Sequence, residues 1–80
     1  MTEGQIQSKR IKQLEANGYY VIKLMKTNKN GIPDLLALKS NEAPFFIEVK
    51  TSKGVLSPLQ EYRLQELDAL GFNTEIYKGN

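Results

Sequence analysis

Three charged residues in the middle of the chain have the types and spacing suited to hydrolysis of a phosphate ester. Asp34 begins one apolar run, and Glu48 and Lys50 occupy alternate positions in the next. Because a strand repeats every two residues, Glu48 and Lys50 project from one face, and Ile47 and Val49 from the other. Carboxylates on neighbouring strands can hold a divalent cation rigidly, and a lysine beside them can orient a water and balance developing charge. The pattern therefore indicates cation-assisted hydrolysis.

Each of these residues also has an ordinary structural explanation. A Glu-x-Lys triplet near a strand end can be solvated, and Pro33-Asp34 is common turn chemistry. Their combination favours an active site, because the strand that follows Asp34 is expected to pair with the strand that contains Glu48 and Lys50. This pairing would place Asp34 across from Glu48 or Lys50. Charged side chains buried in this way cost free energy unless they are paired or bound to a metal.

The apolar arcs of two predicted helices each include one polar residue, Glu3 in the first helix and Gln60 in the second. At about 100° per residue, the arcs are defined by Ile6, Ile11 and Leu14, and by Leu59, Leu64, Leu67 and Leu70. Glu3 and Gln60 are therefore expected to point toward the sheet. Both also have local roles, Glu3 at the helix N-terminal dipole and Gln60 in a capping box with Ser57.

The elements that must position these residues follow the order αβββαβ. Helices are predicted over residues 2–17 and 57–70, both with capping-box starts. Strands are predicted over residues 19–25, 35–38, 45–50 and 73–77, with polar connections over 27–33, 40–44 and 51–56. Short connections predict an antiparallel meander, and the helical crossover predicts a parallel fourth strand. We expect an α/β fold, a mixed four-stranded sheet flanked by helices, in one domain over residues 1–80.

Composition narrows the chemistry further. The chain has no cysteine and no histidine, which excludes disulfides, zinc sites of the usual sulfur and imidazole type, and histidine as general base. Any metal must rest on oxygen ligands, so Mg²⁺ or Mn²⁺ is expected and no small-molecule cofactor. The net charge of +2 permits a nucleic-acid partner. There is no apolar run long enough for a bilayer and no signal-peptide core, so no membrane role and a cytoplasmic location are expected.

Four segments, taken in order, resemble the motif pattern of VRR-NUC domains, which belong to the PD-(D/E)xK nuclease superfamily. They are Glu3, Gly31-Ile32-Pro33-Asp34, Glu48-Val49-Lys50 and Leu56-Ser57-Pro58-Leu59-Gln60. The resemblance covers nearly the whole chain and implies the restriction-endonuclease-like αβββαβ core. Stand-alone members of this size are typical of phage and bacterial genomes, which implies the bacterial cytoplasm, or the host cytoplasm for a phage protein.

The resemblance also implies roles for individual residues. Asp34, Glu48 and the backbone carbonyl of Val49 would bind Mg²⁺ or Mn²⁺ directly. Glu3 would assist the metal through water. The catalytic set would comprise Asp34, Glu48, Lys50, Gln60 and Glu3, with Lys50 orienting and helping to activate the attacking water and Gln60 supporting the site from the second helix.

DNA contact is less sharply encoded than the catalytic set. Candidate phosphate contacts are Lys23, Lys26, Lys29 and Lys53, with a second patch on the first helix formed by Lys9, Arg10 and Lys12. Each of these residues alone is more often a solvated surface charge than a contact. Phosphate contacts would give binding that is independent of sequence and weakens with salt.

The resemblance and the small size favour a structure-selective endonuclease that acts on Holliday junctions or other branched DNA as a homodimer. A dimer would present two active sites to two strands of a branched substrate. The alternatives are a nonspecific or restriction-like nuclease that works with partner proteins, a DNA-binding module that does not cut, and a structural protein without metal affinity. The aromatic residues Tyr19, Tyr20, Phe45 and Phe72 could serve a dimer interface or the core.

Overall fold

The first helix, α1, spans Glu3–Ala16 in a computed structural model that describes residues 1–79. Its start is the predicted capping box, because the Thr2 hydroxyl accepts from the Gln5 backbone N–H and the Gln5 side chain accepts from the Thr2 N–H. The helix ends at Asn17, and Gly18 follows with a φ of 87°. That left-handed conformation reverses the chain into the first strand, as is common after a helix.

The four strands form one mixed sheet with the order β1-β2-β3-β4. Their bounds are Tyr20–Lys23, Leu35–Lys39, Glu42–Thr51 and Asn73–Gly79. Strands β1, β2 and β3 pair antiparallel in sequence order, whereas β3 and β4 pair parallel. The predicted meander and the predicted parallel crossover are therefore both confirmed.

The connection between β2 and β3 is shorter than the predicted loop over residues 40–44. Strand β3 already begins at Glu42, and Asn41 adopts a φ of 64° in a tight hairpin turn, a conformation that asparagine tolerates well. The prediction failed at Pro44, which suggested a loop but lies inside β3. The strand pairing is irregular between Ala37 and Lys39, opposite this proline. A bulge accommodates a residue that cannot donate a backbone hydrogen bond.

The core lies between α1 and one face of the sheet. Ile6 and Leu14 of α1 are almost completely buried, as their places in the predicted apolar arc require. They pack with four fully buried sheet residues, Leu35, Ala37, Ile47 and Val49. Burial of this apolar surface is the main stabilising contribution available to a chain of this size.

The second helix, α2, spans Pro58–Ala69 and lies on the opposite side of the sheet. Ser57 caps it, and Pro58 occupies its first turn, as predicted. Only Leu64 of its predicted apolar arc is buried, whereas Leu70 at the helix end is 70% exposed. The α2 face of the sheet is thus less tightly closed than the α1 face. No helix within residues 1–79 has the length and apolar character needed to cross a bilayer.

Candidate active site

Strand β3 carries the centre of the site, because its two faces differ in chemistry. Ile47 and Val49 are fully buried against α1. Between and after them, Glu48 and Lys50 project from the α2 face, with exposed side-chain fractions of 2% and 11%. The two-residue period therefore places one acid and one base side by side under a helix, as the sequence predicted.

Asp34 is held in place by hydrogen bonds from two backbone N–H groups, one to its carbonyl oxygen and one to its side chain. Its carbonyl oxygen accepts from the Leu24 N–H at 2.8 Å, and its Oδ2 accepts from the Val49 N–H at 2.8 Å. Leu35 pairs with Ile47 in the β2–β3 ladder, so Asp34 lies across from Glu48. The predicted juxtaposition of Asp34 with Glu48 is confirmed. The fully buried Pro33 immediately before it leaves the chain little freedom at this point.

The Glu48 carboxylate is buried with one of its oxygens unsatisfied. Its Oε2 accepts from Gln60 Nε2 at 3.3 Å and lies 4.0 Å from Lys50 Nζ. Among residues 1–79, its Oε1 is the buried side-chain atom that has no hydrogen-bond partner. A buried acceptor left unpaired costs of the order of 1–3 kcal/mol, so such atoms often mark a site for a bound group.

The environment of Glu48 opposes its ionisation. Burial raises the pKa of this carboxyl from 4.5 to about 8, and the negative charge of Asp34 contributes to the rise. The Lys50 ammonium lowers the pKa, and the Glu3 carboxylate raises it slightly. Ionisation of Glu48 would place two carboxylates beside one ammonium, and a bound cation would favour that ionised form.

Lys50 is covered by the loop that follows β3. A side-chain carbon added at Gly54 would lie 3.1 Å from Lys50 Cβ and 3.3 Å from its Cδ, so the loop backbone packs directly on the lysine stem. A turn closed by the Gly54 N–H and the Thr51 carbonyl oxygen holds the loop in this position. Beneath this loop, Lys50 Nζ lies 4.0 Å from Glu48 Oε2.

Gln60 makes the predicted capping box and also contacts Glu48. Its backbone N–H donates to Ser57 Oγ, and its Oε1 accepts from the Ser57 N–H, which completes the capping box. Its Nε2 remains free to donate to Glu48 Oε2 at 3.3 Å. The same contacts that start α2 therefore aim the Gln60 amide at the carboxylate.

Glu3 lies at the edge of this group and does not enter it. Its side chain is exposed in the first turn of α1, near enough to Glu48 to affect the pKa of that carboxyl. Within residues 1–79 there is no group of three or more aspartate, glutamate, histidine or cysteine side chains arranged to hold a metal. A cation at this site would therefore rest on Asp34, Glu48 and a non-side-chain oxygen.

These residues fit a hard divalent cation. The unpaired Glu48 Oε1 offers a buried oxygen ligand beside a second carboxylate, that of Asp34. Oxygen donors of this kind suit Mg²⁺ and Mn²⁺.

Comparison with known proteins agrees with this geometry. The family model described as the VRR-NUC domain matches residues 2–80. The chain belongs to the VRR-NUC family. The VRR-NUC domain is part of the PD-(D/E)xK nuclease superfamily, so the αβββαβ core with its mixed sheet is a nuclease fold of the restriction-endonuclease type, as the resemblance implied. A nuclease domain of this kind implies DNA as the substrate class.

Two solved structures resemble this VRR-NUC domain along almost its full length. One, described as a VRR_NUC domain, has a TM-score of 0.86 and 29% sequence identity, with 100% of this chain and 87% of that chain covered. Another, described as a VRR_NUC domain protein, has a TM-score of 0.83 and 20% identity, with 99% and 79% covered. The second likeness concerns the fold alone. No significant match was found among curated proteins.

Most of the lysines proposed to contact DNA lie at the site end of the VRR-NUC sheet. Lys23 ends β1, and Lys26 and Lys29 line a groove of about 280 Å³ in the β1–β2 loop. Lys53 is exposed in the loop over Lys50. Four exposed ammonium groups therefore lie on the end of β1 and on the loops that precede Asp34 and follow Lys50, an arrangement that suits a phosphate backbone.

In the second proposed patch, on α1, two lysines are exposed and the arginine makes structural contacts. Lys9 and Lys12 are exposed along a surface groove. Arg10, by contrast, donates to both oxygens of Glu75 on β4, at 2.8 and 2.9 Å from its Nη2, and lies 4.8 Å from the centre of the Tyr77 ring. Arg10 therefore ties α1 to the sheet, and it is a poor candidate for DNA contact.

Two basic residues near the site were not predicted from the sequence. Lys78 on β4 is paired in register with Lys50, so both side chains leave the same face of the sheet. Arg63 on α2 contacts the loop that leads to Asp34. Neither position stands out in a sequence pattern, because both depend on how β4 and α2 dock onto the strands.

Proposed function

We propose that this VRR-NUC domain is a metal-dependent endonuclease that hydrolyses phosphodiester bonds in DNA. The observation that carries the proposal is the unpaired, buried Glu48 Oε1 beside Asp34 and Lys50. A purely structural strand end would leave these charges in solvent, where they cost little.

The proposed metal is Mg²⁺ or Mn²⁺, held by Asp34, Glu48 and the Val49 backbone carbonyl. Glu3 would contribute through water, in keeping with its exposed place in the first turn of α1. When bound, the cation supplies positive charge that polarises the phosphate and lowers the pKa of a water. Charge from the cation would also relieve the repulsion between Asp34 and Glu48.

Lys50 would orient the attacking water and stabilise the negative charge that develops on the phosphate. Its ammonium is placed by the Gly54 loop at 4.0 Å from Glu48 Oε2, close enough to act on a group shared with that carboxylate. Gln60 would hold Glu48 in one rotamer through its amide. The role of Gln60 is support of the ligand, since its amide contacts Glu48 and not the reacting atoms.

A branched DNA, such as a Holliday junction, is the proposed substrate, and a homodimer is the proposed active form. Tyr20 and Ile22 alternate with Val21, which faces α1, so both project from the site face of β1 and are 70% and 37% exposed. Ile76 on the same face of β4 is 47% exposed. Apolar surface of this kind supports self-association. Of the aromatic candidates, Tyr19 and Phe45 instead form an edge-to-face pair against the core.

The decisive experiment is cleavage of four-way junction, nicked, linear duplex and single-stranded DNA in Mg²⁺, Mn²⁺ or EDTA. We expect junction cutting that requires metal and is abolished in Lys50→Ala and Asp34→Asn. Asp68→Asn is the matched control. Asp68 is an exposed carboxylate near the C-terminal end of α2, and its side chain accepts a hydrogen bond from the Thr74 hydroxyl. Its activity should equal that of the wild type.

Other outcomes would contradict parts of the proposal. Folded protein that binds these DNAs in Mg²⁺ and Mn²⁺ without cutting would indicate a binding module. Equal cutting of all four substrates would exclude structure selectivity. Dimerisation is checked by sedimentation velocity, in which Ile22→Glu should give a monomer and Val55→Glu, at a loop side chain that is 81% exposed, should not.

A further inference from the structure

Arg63 joins helix α2 to the loop between β1 and β2. Its Nε donates to the Asn30 backbone carbonyl oxygen at 2.8 Å, and its Nη1 donates to Glu66 Oε1 at 3.0 Å. The side chain is only 16% exposed, although it is charged and lies on a helix surface. The guanidinium is thus held between its own helix and a backbone atom 33 positions earlier in the chain.

The residue after Asn30 is locked against the same helix. Gly31 has a φ of 79°, and a side-chain carbon added there would lie 2.7 Å from Leu59 Cγ. Helix α2 therefore contacts two consecutive residues of the loop, one through a hydrogen bond and one through close packing. The two contacts together fix the position of the loop at Asn30 and Gly31, from which the chain continues to Asp34.

That segment leads directly to the metal-binding carboxylate of the proposed site. Ile32 and the fully buried Pro33 separate Gly31 from Asp34, and the proline ring restricts the backbone torsions between them. Asp34 in turn accepts hydrogen bonds from the Leu24 and Val49 N–H groups, so the signals of these two amides report on its position. A shift of the loop at Asn30 would be passed along this stiff stretch to Asp34.

We propose that Arg63 is a positioning residue that sets the placement of Asp34 relative to Glu48. The expected effect on metal binding rests on the proposed function. The position of Asp34 relative to Glu48, by contrast, is a property of the metal-free protein. Arg63 touches neither carboxylate, so it acts only through the loop.

The first test is made without metal. Amide ¹H–¹⁵N spectra of Arg63→Met should show shifted Leu24 and Val49 signals, because these two N–H groups donate to Asp34. Arg10→Met is the matched control: Arg10 is 18% exposed and also ties a helix to a distant segment, through Glu75. It should lower stability but leave both signals in place. Unshifted signals in Arg63→Met, or equal shifts in both variants, would overturn the inference.

The second test is calorimetric titration with Mn²⁺ in the absence of DNA. Arg63→Met should weaken Mn²⁺ binding about tenfold, in the range seen when supporting residues of metal ligands are lost. Glu66→Gln keeps the Asn30 contact and should bind as the wild type does. Arg63→Lys retains a donor toward Asn30 and should recover part of the affinity. Unchanged affinity in Arg63→Met would overturn the functional consequence.

The two tests separate this inference from the proposed function. If the wild type binds no Mn²⁺ yet Leu24 and Val49 shift in Arg63→Met, the metal site is wrong and the positioning role stands. If the wild type binds Mn²⁺ and these signals do not shift, the site stands and the positioning role is wrong.

Discussion

On its α1 side, strand β3 buries two aliphatic side chains completely, whereas on its α2 side it buries a carboxylate with one oxygen unpaired. Ile47 and Val49 on the first side are in contact with Leu35 and Ala37 of β2 and with α1. Glu48 on the second side is 2% exposed and meets Asp34, Gln60 and Lys50. The same strand therefore carries a stabilising face and a destabilising face.

The difference shows how so small a domain can hold a charged site. Burial of apolar surface contributes about 25 cal/mol per Å², and in this chain it is concentrated between α1 and the sheet. Burial of an unpaired ionised group has the opposite sign. The α1 face thus offsets the cost of Glu48, and substitutions on the two faces should have opposite consequences for stability and activity.

The largest expected effect is on activity, in Glu48→Gln. Loss of this metal ligand should lower the cleavage rate by about 10²–10³-fold, because the variant would no longer hold the cation that stabilises transition-state charge. The metal-free variant should nevertheless melt at a higher temperature than the wild type at pH 8, because a neutral amide replaces a buried acid. Initial cleavage rates and thermal melting in EDTA measure the two effects.

Glu75→Gln is the control for that substitution. Glu75 lies on the α1 face and is paired with Arg10 at 2.8 Å. Its loss should cost up to about 1 kcal/mol of stability, as for a partly exposed ion pair, with the cleavage rate unchanged. Equal loss of activity in both variants would remove the functional distinction between the two faces.

The pH dependence of stability should be the next largest effect. In the folded protein the pKa of Glu48 is raised from 4.5 to about 8, so between these values the folded state binds more protons than the unfolded state. The free energy of unfolding of the metal-free protein should therefore fall as pH rises from about 4.5 to 8. Urea unfolding in EDTA across this range measures the slope.

Two comparisons isolate the source of this slope. Glu48→Gln should flatten it, because the titrating group is gone. Mn²⁺ should raise the melting temperature of the wild type at pH 8 and leave that of Glu48→Gln almost unchanged, since a ligand stabilises only the state that binds it. A slope of equal size in both proteins would assign the pH effect to other groups.

On the α1 face we expect the opposite result, a large loss of stability with little loss of activity. Ile47→Ala should cost about 2–5 kcal/mol of stability, as for truncation of a fully buried isoleucine. Cleavage per folded molecule should remain close to the wild-type rate, because Ile47 points away from the site. Ile22→Ala, at a side chain that is 37% exposed, should cost less than about 1 kcal/mol. Loss of activity without loss of stability in Ile47→Ala would contradict this assignment.

The face-to-face difference in β3 was predictable from the sequence, because it depends only on local rules. A period of two separates Ile47 and Val49 from Glu48 and Lys50, and short connections require β2 and β3 to be neighbours. These two facts bring Asp34 to Glu48 without any knowledge of packing. The capping boxes at Thr2 and Ser57 are equally local, and the helix starts were correctly placed.

Features that depend on packing between elements were predicted poorly. Pro44 suggested a loop, because the bulge that admits it into β3 arises from pairing with β2. Arg10 has the same charge as its lysine neighbours, and only the docking of α1 on β4 brings it to Glu75. The parts of the site supported by other elements, such as Arg63 and the loop at Asn30, belong to this class.

The last predicted effect concerns the loop that delivers Asp34 to the α2 face. Gly31 and Gly71 both have positive φ, 79° and 93°, but an added side-chain carbon would meet Leu59 at Gly31 and nothing within 4 Å at Gly71. Gly71→Ala should therefore cost about 1 kcal/mol for backbone strain, and Gly31→Ala about 1–2 kcal/mol more for the forced contact. Thermal unfolding measures both.

A second readout shows whether that contact matters for the site. The rise in melting temperature on adding Mn²⁺ should shrink in Gly31→Ala and persist in Gly71→Ala, because only Gly31 lies on the path from α2 to Asp34. Equal Mn²⁺ shifts in both variants would mean that Asp34 keeps its place when the loop moves. The backbone bonds of Asp34 to Leu24 and Val49 would then be sufficient to hold it opposite Glu48.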